Sequence, residues 1–340
     1  MDILALAQSA VAEDTYEQVI PPAVDGRHLQ LDADVCAYFC DVDKSVAHNF
    51  NELKKYIETQ RLMAGAELVN LHLTMGEKGG REAVAMVQEY QASRQKRDEN
   101  KQILVKELRV QMSSYSTDTV VPVAWFDREA DDGMTQYQNA RIETHGLESS
   151  VIMTVDKDLD MSHGNHMHPK TYNEYYVPNG YGEIWLDEST SSKKIVGRGT
   201  AFLWAQMLAG DSADYIPGLP KISAAYLNKH FPTKAILNAK TIKSKKAAMA
   251  KRKEASCGYV TAYDILRNCT SDREAYDKVR EAYESYYGKR TFDYVCWRGN
   301  EHKLTAGHMM LEQARLLWMQ RTPGEDVLVF FKEVADGLRD

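Results

Sequence analysis

The chain has 340 residues, of which 44% are hydrophobic and 27% charged, and this balance is typical of a soluble globular protein. The overall net charge of −7 argues against a nucleic-acid partner. The basic residues are unevenly distributed, however, because seven of them and no acid lie between Lys240 and Lys253. The start of the chain lacks the basic region of a signal peptide and no apolar run approaches roughly 18 residues, which excludes a membrane span and predicts a cytoplasmic protein.

Short apolar runs alternate with helical patterns along the first two thirds of the chain. Buried strands are predicted at Leu29–Leu31, Leu68–Leu73, Val120–Val123 and Val151–Val155. Apolar residues spaced by three and four predict helices at Lys44–Met63, Arg81–Arg109 and Ala130–Thr144. This alternation predicts an α/β fold with a parallel sheet and right-handed crossovers. Beyond about Thr200 we expect helices and no further strands.

Acidic residues gather after these apolar runs and again near residue 211. In open parallel sheets ligands bind outside the carboxyl ends of the strands, so these positions are where chemistry is expected. Residues two apart at a strand exit project to the same side, so Asp156 and Asp158 are predicted to face one point with Lys157 turned away. A helix starting near Glu129 would place Glu129 and Asp132 on one face. The motifs contribute Asp32 and Asp34, then Glu129, Asp131 and Asp132, then Asp156 and Asp158, then Asp211 and Asp214.

So many carboxylates at one place would repel one another unless cations lay among them, and hard oxygen ligands favour Mg²⁺ or Mn²⁺. The simplest purpose is a site for two ions that polarise a scissile phosphate and activate water. Taken singly, Asp131 could instead cap a helix and Asp211 could stabilise a turn.

Two motifs resemble those of the 5′-nuclease family, which includes flap endonucleases and bacteriophage 5′→3′ exonucleases. They are the Gly-Asp-Ser-Ala-Asp-Tyr-Ile-Pro-Gly run at 210–218 and Val155-Asp-Lys-Asp. The resemblance covers residues 28–230 and implies a PIN-like, mainly parallel sheet flanked by helices. It also implies a helical arch at about 74–115, a helix–hairpin–helix DNA-binding element and a helical C-terminal region. The implied division is a nuclease core at 25–205 and the remainder at 206–340.

The same resemblance implies roles for the acidic residues. Two Mg²⁺ or Mn²⁺ ions are expected, with a monovalent cation at the helix–hairpin–helix as a further expectation. The first ion would be bound by Asp32, Glu129, Asp131 and Asp132, and the second by Asp156, Asp158, Asp211 and Asp214. Asp34 would lie outside the ligand shell. The family's Asp after its second strand is missing, because residues 71–80 offer only Glu77.

The arch is predicted to supply cations and an aromatic ring over the active site. Arg81 and Arg94 match its catalytic arginines and Tyr90 its aromatic residue, whereas Gln91 stands where a lysine is expected. Lysines would bind phosphates as point charges further along the chain. The complete set of predicted DNA contacts is Arg81, Tyr90, Arg94, Lys96, Arg97, Lys221, Lys243 and Lys246.

The resemblance implies an Mg²⁺- or Mn²⁺-dependent 5′→3′ exodeoxyribonuclease, with flap endonuclease or RNase H-like activity on the same site. Its partners would be DNA with a 5′ end, flap or single-stranded tail, RNA–DNA hybrids and replication proteins, and no membrane. The resemblance also implies a bacteriophage origin, a role in DNA replication and a location in the host cytoplasm. The Lys240–Lys253 stretch is equally compatible with a solvated loop of no function.

Two other functions are compatible with parts of the pattern. A haloacid-dehalogenase-like phosphatase would use Asp32 as its nucleophile, but the position at which that class has Thr or Val is Cys36. A non-catalytic nucleic-acid-binding protein on the same fold would explain Gln91 and the missing acid, but not the other clustered carboxylates. His163, His166 and His168 have no partner at zinc spacing, so we expect them to be structural.

Overall fold

The computed structural model describes residues 20–92, 98–189, 191 and 193–339, and these fall into two compact units. The first unit holds the described residues of 1–80, 94–179 and 319–325, and the second holds those of 81–93, 180–318 and 326–340. The longest segment of the second unit begins at Gly180, because the hairpin formed by residues 183–198 packs on the helices that follow it. The division at 205/206 stays a prediction.

The strands are, in chain order, β1 (His28–Asp32), β2 (Leu68–Thr74), β3 (Val120–Trp125), β4 (Ser150–Met153), β5 (Gly164–Met167), β6 (Glu174–Val177), β7 (Glu183–Asp187), β8 (Lys194–Arg198), β9 (Lys221–Ile222), β10 (Ala255–Ser256), β11 (Phe292–Val295) and β12 (Glu301–Leu304). In the first unit β1 to β6 form one sheet of order β3-β2-β1-β4-β5-β6. All neighbours in it are parallel except β5 and β6. The predicted mainly parallel sheet is confirmed.

The helices are α1 (Ala33–Ala37), α2 (Val46–Met63), α3 (Arg81–Val84), α4 (Glu99–Ser113), α5 (Ala130–His145), α6 (Thr200–Ala209), α7 (Ala224–His230), α8 (Lys234–Leu237), α9 (Ile242–Ala250), α10 (Tyr259–Leu266), α11 (Asp272–Tyr287), α12 (Ala306–Leu317) and α13 (Val327–Ala335). Among the described residues, 3-10 turns lie at Leu147–Ser149 and Lys157–Met161. The helices predicted at Lys44–Met63 and Ala130–Thr144 are confirmed as α2 and α5. The described part of the chain contains no helix long and apolar enough to cross a membrane.

The two faces of the sheet in the first unit differ in polarity. Leu29, Leu31 and Leu71 are buried on one face with the apolar residues of α2 and α4, and this forms the main hydrophobic core. On the other face, where α5 packs, Gln30, His72 and Ser150 are buried too. Since alternate residues of a strand point to opposite faces, the fully buried strands carry an apolar and a polar set side by side.

The second unit is mainly helical, but it contains three antiparallel pairs, β7–β8, β9–β10 and β11–β12. The expectation of no strands beyond Thr200 is therefore wrong. The strands concerned are short, and an alternation over two to four residues is too brief to stand out from helical spacing. The core of this unit forms around Trp204, which stacks on Phe331, while its indole Nε1 donates to Asp272 at 2.7 Å.

The segment predicted as the helical arch is not one helix. Helix α3 ends at Val84 and α4 begins at Glu99, so the helix predicted at Arg81–Arg109 is wrong. Asp98 starts α4 because its side chain accepts a hydrogen bond from Lys101 N at 2.8 Å. Gln91 has φ 57°, a left-handed conformation that no helix interior accepts.

Candidate active site

The carboxyl ends of β3, β2, β1 and β4 meet at one edge of the sheet, as the parallel order requires. Asp32 ends β1 and caps α1, with its Oδ1 accepting from Val35 N at 3.0 Å. Its Oδ2 accepts from Thr154 Oγ1 on the neighbouring strand exit, also at 3.0 Å. Asp32 is only 4% exposed. The Asp32 carboxylate is therefore buried at the carboxyl edge of the sheet, where the sequence predicts the site.

Asp34 is committed to an ion pair. Arg109 Nε donates to Asp34 Oδ1 at 2.7 Å, and Thr74 N donates to Asp34 Oδ2 at 3.0 Å. That Asp34 lies outside the ligand shell stays a prediction. Sequence reasoning misses Arg109, because nothing in the spacing of α4 indicates which of its basic residues turns towards the sheet.

The start of α5 supplies three carboxylates at the same edge. Glu129 is the residue before the helix and makes no side-chain cap, while Asp131 and Asp132 lie in its first turn. Ala130 N donates to Thr74 Oγ1 at 2.9 Å, which holds the first turn against the end of β2. Asp132 is buried, and its Oδ1 accepts from Gln320 N at 2.9 Å. Glu129 is buried as well.

Asp156 and Asp158 lie on a 3-10 turn and not on an extended strand exit. Asp156 begins the turn, and its Oδ1 accepts from Asp158 N at 3.0 Å. Lys157 does not turn away as predicted, because its Nζ contacts Asp158 Oδ1 at 2.7 Å. The two-residue alternation is wrong here since strand β4 already ends at Met153.

Electrostatics identifies which carboxylates share this space. Burial, Asp34 and Asp156 raise the pKa of Asp32 to about 7. Burial raises the pKa of Asp131 well above its usual range, and the negative charges of Glu129, Asp156 and Asp32 add to the shift. Such shifts arise when like charges are held together in a low dielectric. Asp32, Asp131 and Asp156, which come from three different strand exits, are therefore the centre of the candidate site, and Glu129 lies beside them.

The donor set fits hard divalent cations, because carboxylate oxygens that repel one another are neutralised by a bound ion. Among the described residues, however, no group of three or more His, Cys, Asp or Glu side chains is already arranged to hold an ion. The carboxylates of the candidate ligands are therefore close enough to interact electrostatically, but three of them do not meet at one position that would hold an ion.

The second unit holds the other two predicted ligands. Asp211 is buried and accepts from Ala213 N at 2.8 Å, and it forms a β-bridge with Ile216. Asp214 Oδ2 accepts from Tyr90 Oη and its Oδ1 from Gln91 Nε2, both at 3.1 Å. Gln91, which stands where a lysine is expected, thus donates a hydrogen bond from its side-chain amide to an acid of the Gly-Asp-x-x-Asp motif. The role of Asp211 and Asp214 as metal ligands stays a prediction.

The two described residues predicted to reach DNA from the arch are buried. Arg81 is 4% exposed, and its guanidinium donates to Leu316 O at 3.3 Å and Trp318 O at 2.8 Å. Tyr90 is 5% exposed. The buried positions of Arg81 and Tyr90 are not those of side chains exposed to a DNA strand, and their roles as DNA contacts stay predictions. Arg94, Lys96 and Arg97 lie outside the described residues.

The remaining predicted DNA contacts are exposed. Lys221 forms an ion pair with Glu254 across the β9–β10 pair. Lys243 and Lys246 lie on α9, a helix that begins with a capping box at Thr241 and has no buried residue. The loop alternative for this stretch is therefore wrong over 242–250, where a capped basic helix is formed. Just after the C-terminal end of α9, Arg252 donates a hydrogen bond to Leu227 O at 3.2 Å.

The histidines after the Asp-Lys-Asp motif lie against main-chain atoms of the first unit, and their structural role stays a prediction. His166 is buried, with its Nε2 2.7 Å from Ser162 O. His163 Nδ1 lies 3.1 Å from Val177 O. Burial lowers the pKa of His168, whose Nδ1 accepts hydrogen bonds from the main chain of the following turn.

No family model and no curated protein matches the sequence. Among solved structures, the chain is similar to a T5 5′-exonuclease with bound zinc, at 14% identity and a TM-score of 0.42, covering 86% of this chain and 100% of that one. It is similar to a bacteriophage T5 flap endonuclease in a pseudo-enzyme–product complex with DNA and metal ions, at 12% identity and a TM-score of 0.42, covering 91% and 98%. A mutant T5 5′-exonuclease matches at 13% identity and a TM-score of 0.37, again covering 91% and 98%.

Proposed function

We propose that this protein is a metal-dependent nuclease that hydrolyses DNA phosphodiester bonds from 5′ ends. The observation that carries the proposal is the group formed by Asp32, Asp131 and Asp156 at the carboxyl edge of the sheet. Holding these acids together costs free energy in the metal-free protein, as the raised pKa values of Asp32 and Asp131 indicate. A fold retains such a cluster most readily where cations use it.

Asp32, Glu129, Asp131 and Asp156 would hold the ions, with Asp158, Asp132, Asp211 and Asp214 as further predicted ligands. Divalent ions bound there supply positive charge that lowers the pKa of a water and offsets the charge of the scissile phosphate. Thr154 has a role of its own, because its hydroxyl donates to Asp32 and accepts from Asp156 N. It thereby links the carboxylate of Asp32 to the main chain at the start of the turn that carries Asp156.

The basic helix α9 would contribute sequence-independent affinity for duplex DNA. Lys243 and Lys246 are exposed, and no acid lies within 240–253 to compete for them. Point charges of this kind bind phosphates through the release of counterions. The preference for 5′ ends, the choice between exonuclease and flap endonuclease activity, and Mg²⁺ or Mn²⁺ as the ion belong to this proposal, as do RNA–DNA hybrids and replication proteins as partners and a bacteriophage origin.

The phosphatase alternative assigns no role to the acids at the start of α5, and Cys36 occupies the position at which that class has Thr or Val. The non-catalytic alternative predicts binding of DNA without cleavage, and the same experiment tests it.

The test is degradation of duplex DNA labelled at the 5′ or the 3′ end, with a second substrate that carries a 5′ flap, in Mg²⁺, in Mn²⁺ and in EDTA. The wild type is expected to release 5′ label only when a divalent ion is present, and Asp156→Asn with Asp158→Asn to be inactive. Asp160→Asn is a matched control on the same 3-10 turn, since Asp160 accepts from Tyr175 Oη at 2.7 Å. A wild-type protein that binds DNA but never cuts it in either metal would replace the nuclease with the non-catalytic binder.

A further inference from the structure

A chain of buried polar side chains crosses the sheet beneath α5. Gln30 Nε2 donates to Ser150 Oγ at 3.0 Å, and Gln30 Oε1 accepts from Asn70 Nδ2 at 3.1 Å. His72 Nε2 lies 3.0 Å from the same Gln30 Oε1, and Trp125 Nε1 donates to His72 Nδ1 at 3.0 Å. These hydrogen bonds therefore connect β4, β1, β2 and β3 in that order.

The direction of every hydrogen bond in this chain follows from its last member. An indole N–H can only donate, so His72 Nδ1 is the acceptor and the proton of a neutral ring is on Nε2, facing Gln30 Oε1. Burial supports the neutral form, since it lowers the pKa of His72 to about 3. The plane of the imidazole is consequently fixed from both sides, and with it the position of the indole of Trp125, whose plane lies within 12° of that of the imidazole.

The indole in turn limits the approach of α5. A Cβ built on Gly133 would lie 2.1 Å from Trp125 Cε2, which no real contact allows. The first turn of α5 therefore rests directly on the ring, and only glycine permits that distance. Gly133 follows Asp131 and Asp132 immediately in the chain, and its N donates to Glu129 O at 3.3 Å. The indole thus supports the turn that carries three carboxylates of the candidate site.

We propose that His72 and Trp125 are positioning residues: they set the distance between the first turn of α5 and the strand exits, and so the placement of Asp131 relative to Asp32 and Asp156. The inference rests on the proposed metal-dependent function, because positioning is defined here by its effect on a bound divalent ion. It assigns a role to the buried polar side chains on this face of the sheet. It also accounts for a glycine inside a helix, where glycine is ordinarily less favourable than alanine.

The test measures the Kd for Mn²⁺ by electron paramagnetic resonance or calorimetry, together with thermal unfolding in EDTA. Gly133→Ala places a methyl group inside the indole and is expected to weaken Mn²⁺ binding about tenfold or more, as for other losses of ligand support. The matched control is Gly307→Ala in the first turn of α12, where the added Cβ meets nothing closer than 3.6 Å. Its Kd should remain that of the wild type.

Two further variants separate positioning from a loss of folding. Trp125→Phe keeps a ring but removes the N–H that binds His72, so the protein should fold and bind Mn²⁺ several-fold more weakly. Trp125→Leu in the Gly133→Ala protein removes the overlap, and should bind more tightly than Gly133→Ala alone. A wild type that binds no Mn²⁺ would overturn the proposed function and this inference with it. A wild type that binds Mn²⁺, with Gly133→Ala and Trp125→Phe binding equally well, would overturn this inference alone.

Discussion

Asp34 and Arg109 form an ion pair between the end of β1 and helix α4, with Arg109 Nε 2.7 Å from Asp34 Oδ1. Both side chains are less than one third exposed, so the pair is only partly screened by water. It neutralises an acid whose charge would otherwise act fully on Asp32, two residues earlier in the chain. This ion pair therefore belongs to the electrostatic support of the candidate site.

We predict that Arg109→Met lowers the free energy of unfolding by about 1 kcal/mol in EDTA at pH 8, since the remaining Asp34 stays partly buried without its cation. Adding Asp34→Asn should recover part of this loss, giving a coupling energy in a double-mutant cycle. Urea denaturation of the four proteins measures it. Lys106→Met, an exposed position on the same helix, is the control, and purely additive effects would contradict the prediction.

The raised pKa of Asp32 predicts how stability depends on pH without metal. The folded protein binds this proton more tightly than the unfolded chain, whose Asp titrates near 3.8. Protonation of Asp32 therefore contributes its full share to the free energy of unfolding below pH 3.8. This contribution is lost as the pH rises through about 7. Asp32→Asn removes this titration, so in EDTA the variant should gain stability relative to the wild type between pH 4.5 and 8, by at most roughly 1.4 kcal/mol per pH unit. Denaturation curves at several pH values test this, and a constant difference would exclude it.

Divalent ions should stabilise the folded protein most at neutral and higher pH, where the clustered acids are ionised. At an ion concentration of about 100 times its Kd, the expected gain is about 2.7 kcal/mol. Asp131→Asn should lose most of this gain, because it removes one of the acids whose pKa the cluster raises. Thermal unfolding with increasing MgCl₂ or MnCl₂ measures the effect, with Asp160→Asn as the variant that should respond like the wild type. Equal stabilisation of Asp131→Asn would place the ion elsewhere.

Helix α9 predicts a specific dependence of DNA affinity on salt. Lys243→Ala with Lys246→Ala should lower the slope of log K against log salt by about 0.9 for each phosphate that the protein no longer neutralises, and weaken binding to all sequences alike. Fluorescence anisotropy with a labelled duplex in EDTA measures binding without cleavage. Lys55→Ala on α2, where Lys55 pairs with Glu52, is the control for removal of a lysine elsewhere on the surface. An unchanged slope in the double variant would show that α9 does not contact DNA.

The sequence by itself determined the order of β1 to β4, the helices α2 and α5 between them, and the edge of the sheet where the acids gather. These features follow from local information. The spacing of apolar residues indicates which strand or helix face is buried, and parallel strands bring their carboxyl ends to one edge of the sheet. For the same reason the predicted acids Asp32, Asp131 and Asp156 interact electrostatically in the structure.

Only the tertiary structure decided which polar residues serve the site and which are used elsewhere. Arg81 is buried against carbonyls some 235 residues away in the chain, and Asp34 finds its cation at Arg109. The hydrogen bond between Trp125 and His72 joins two different strands, so the spacing within either strand does not reveal it. Partners distant in sequence leave no periodicity, so their pairing is set by the packing of whole elements, and the polar network under α5 could be recognised only once the strands lay side by side.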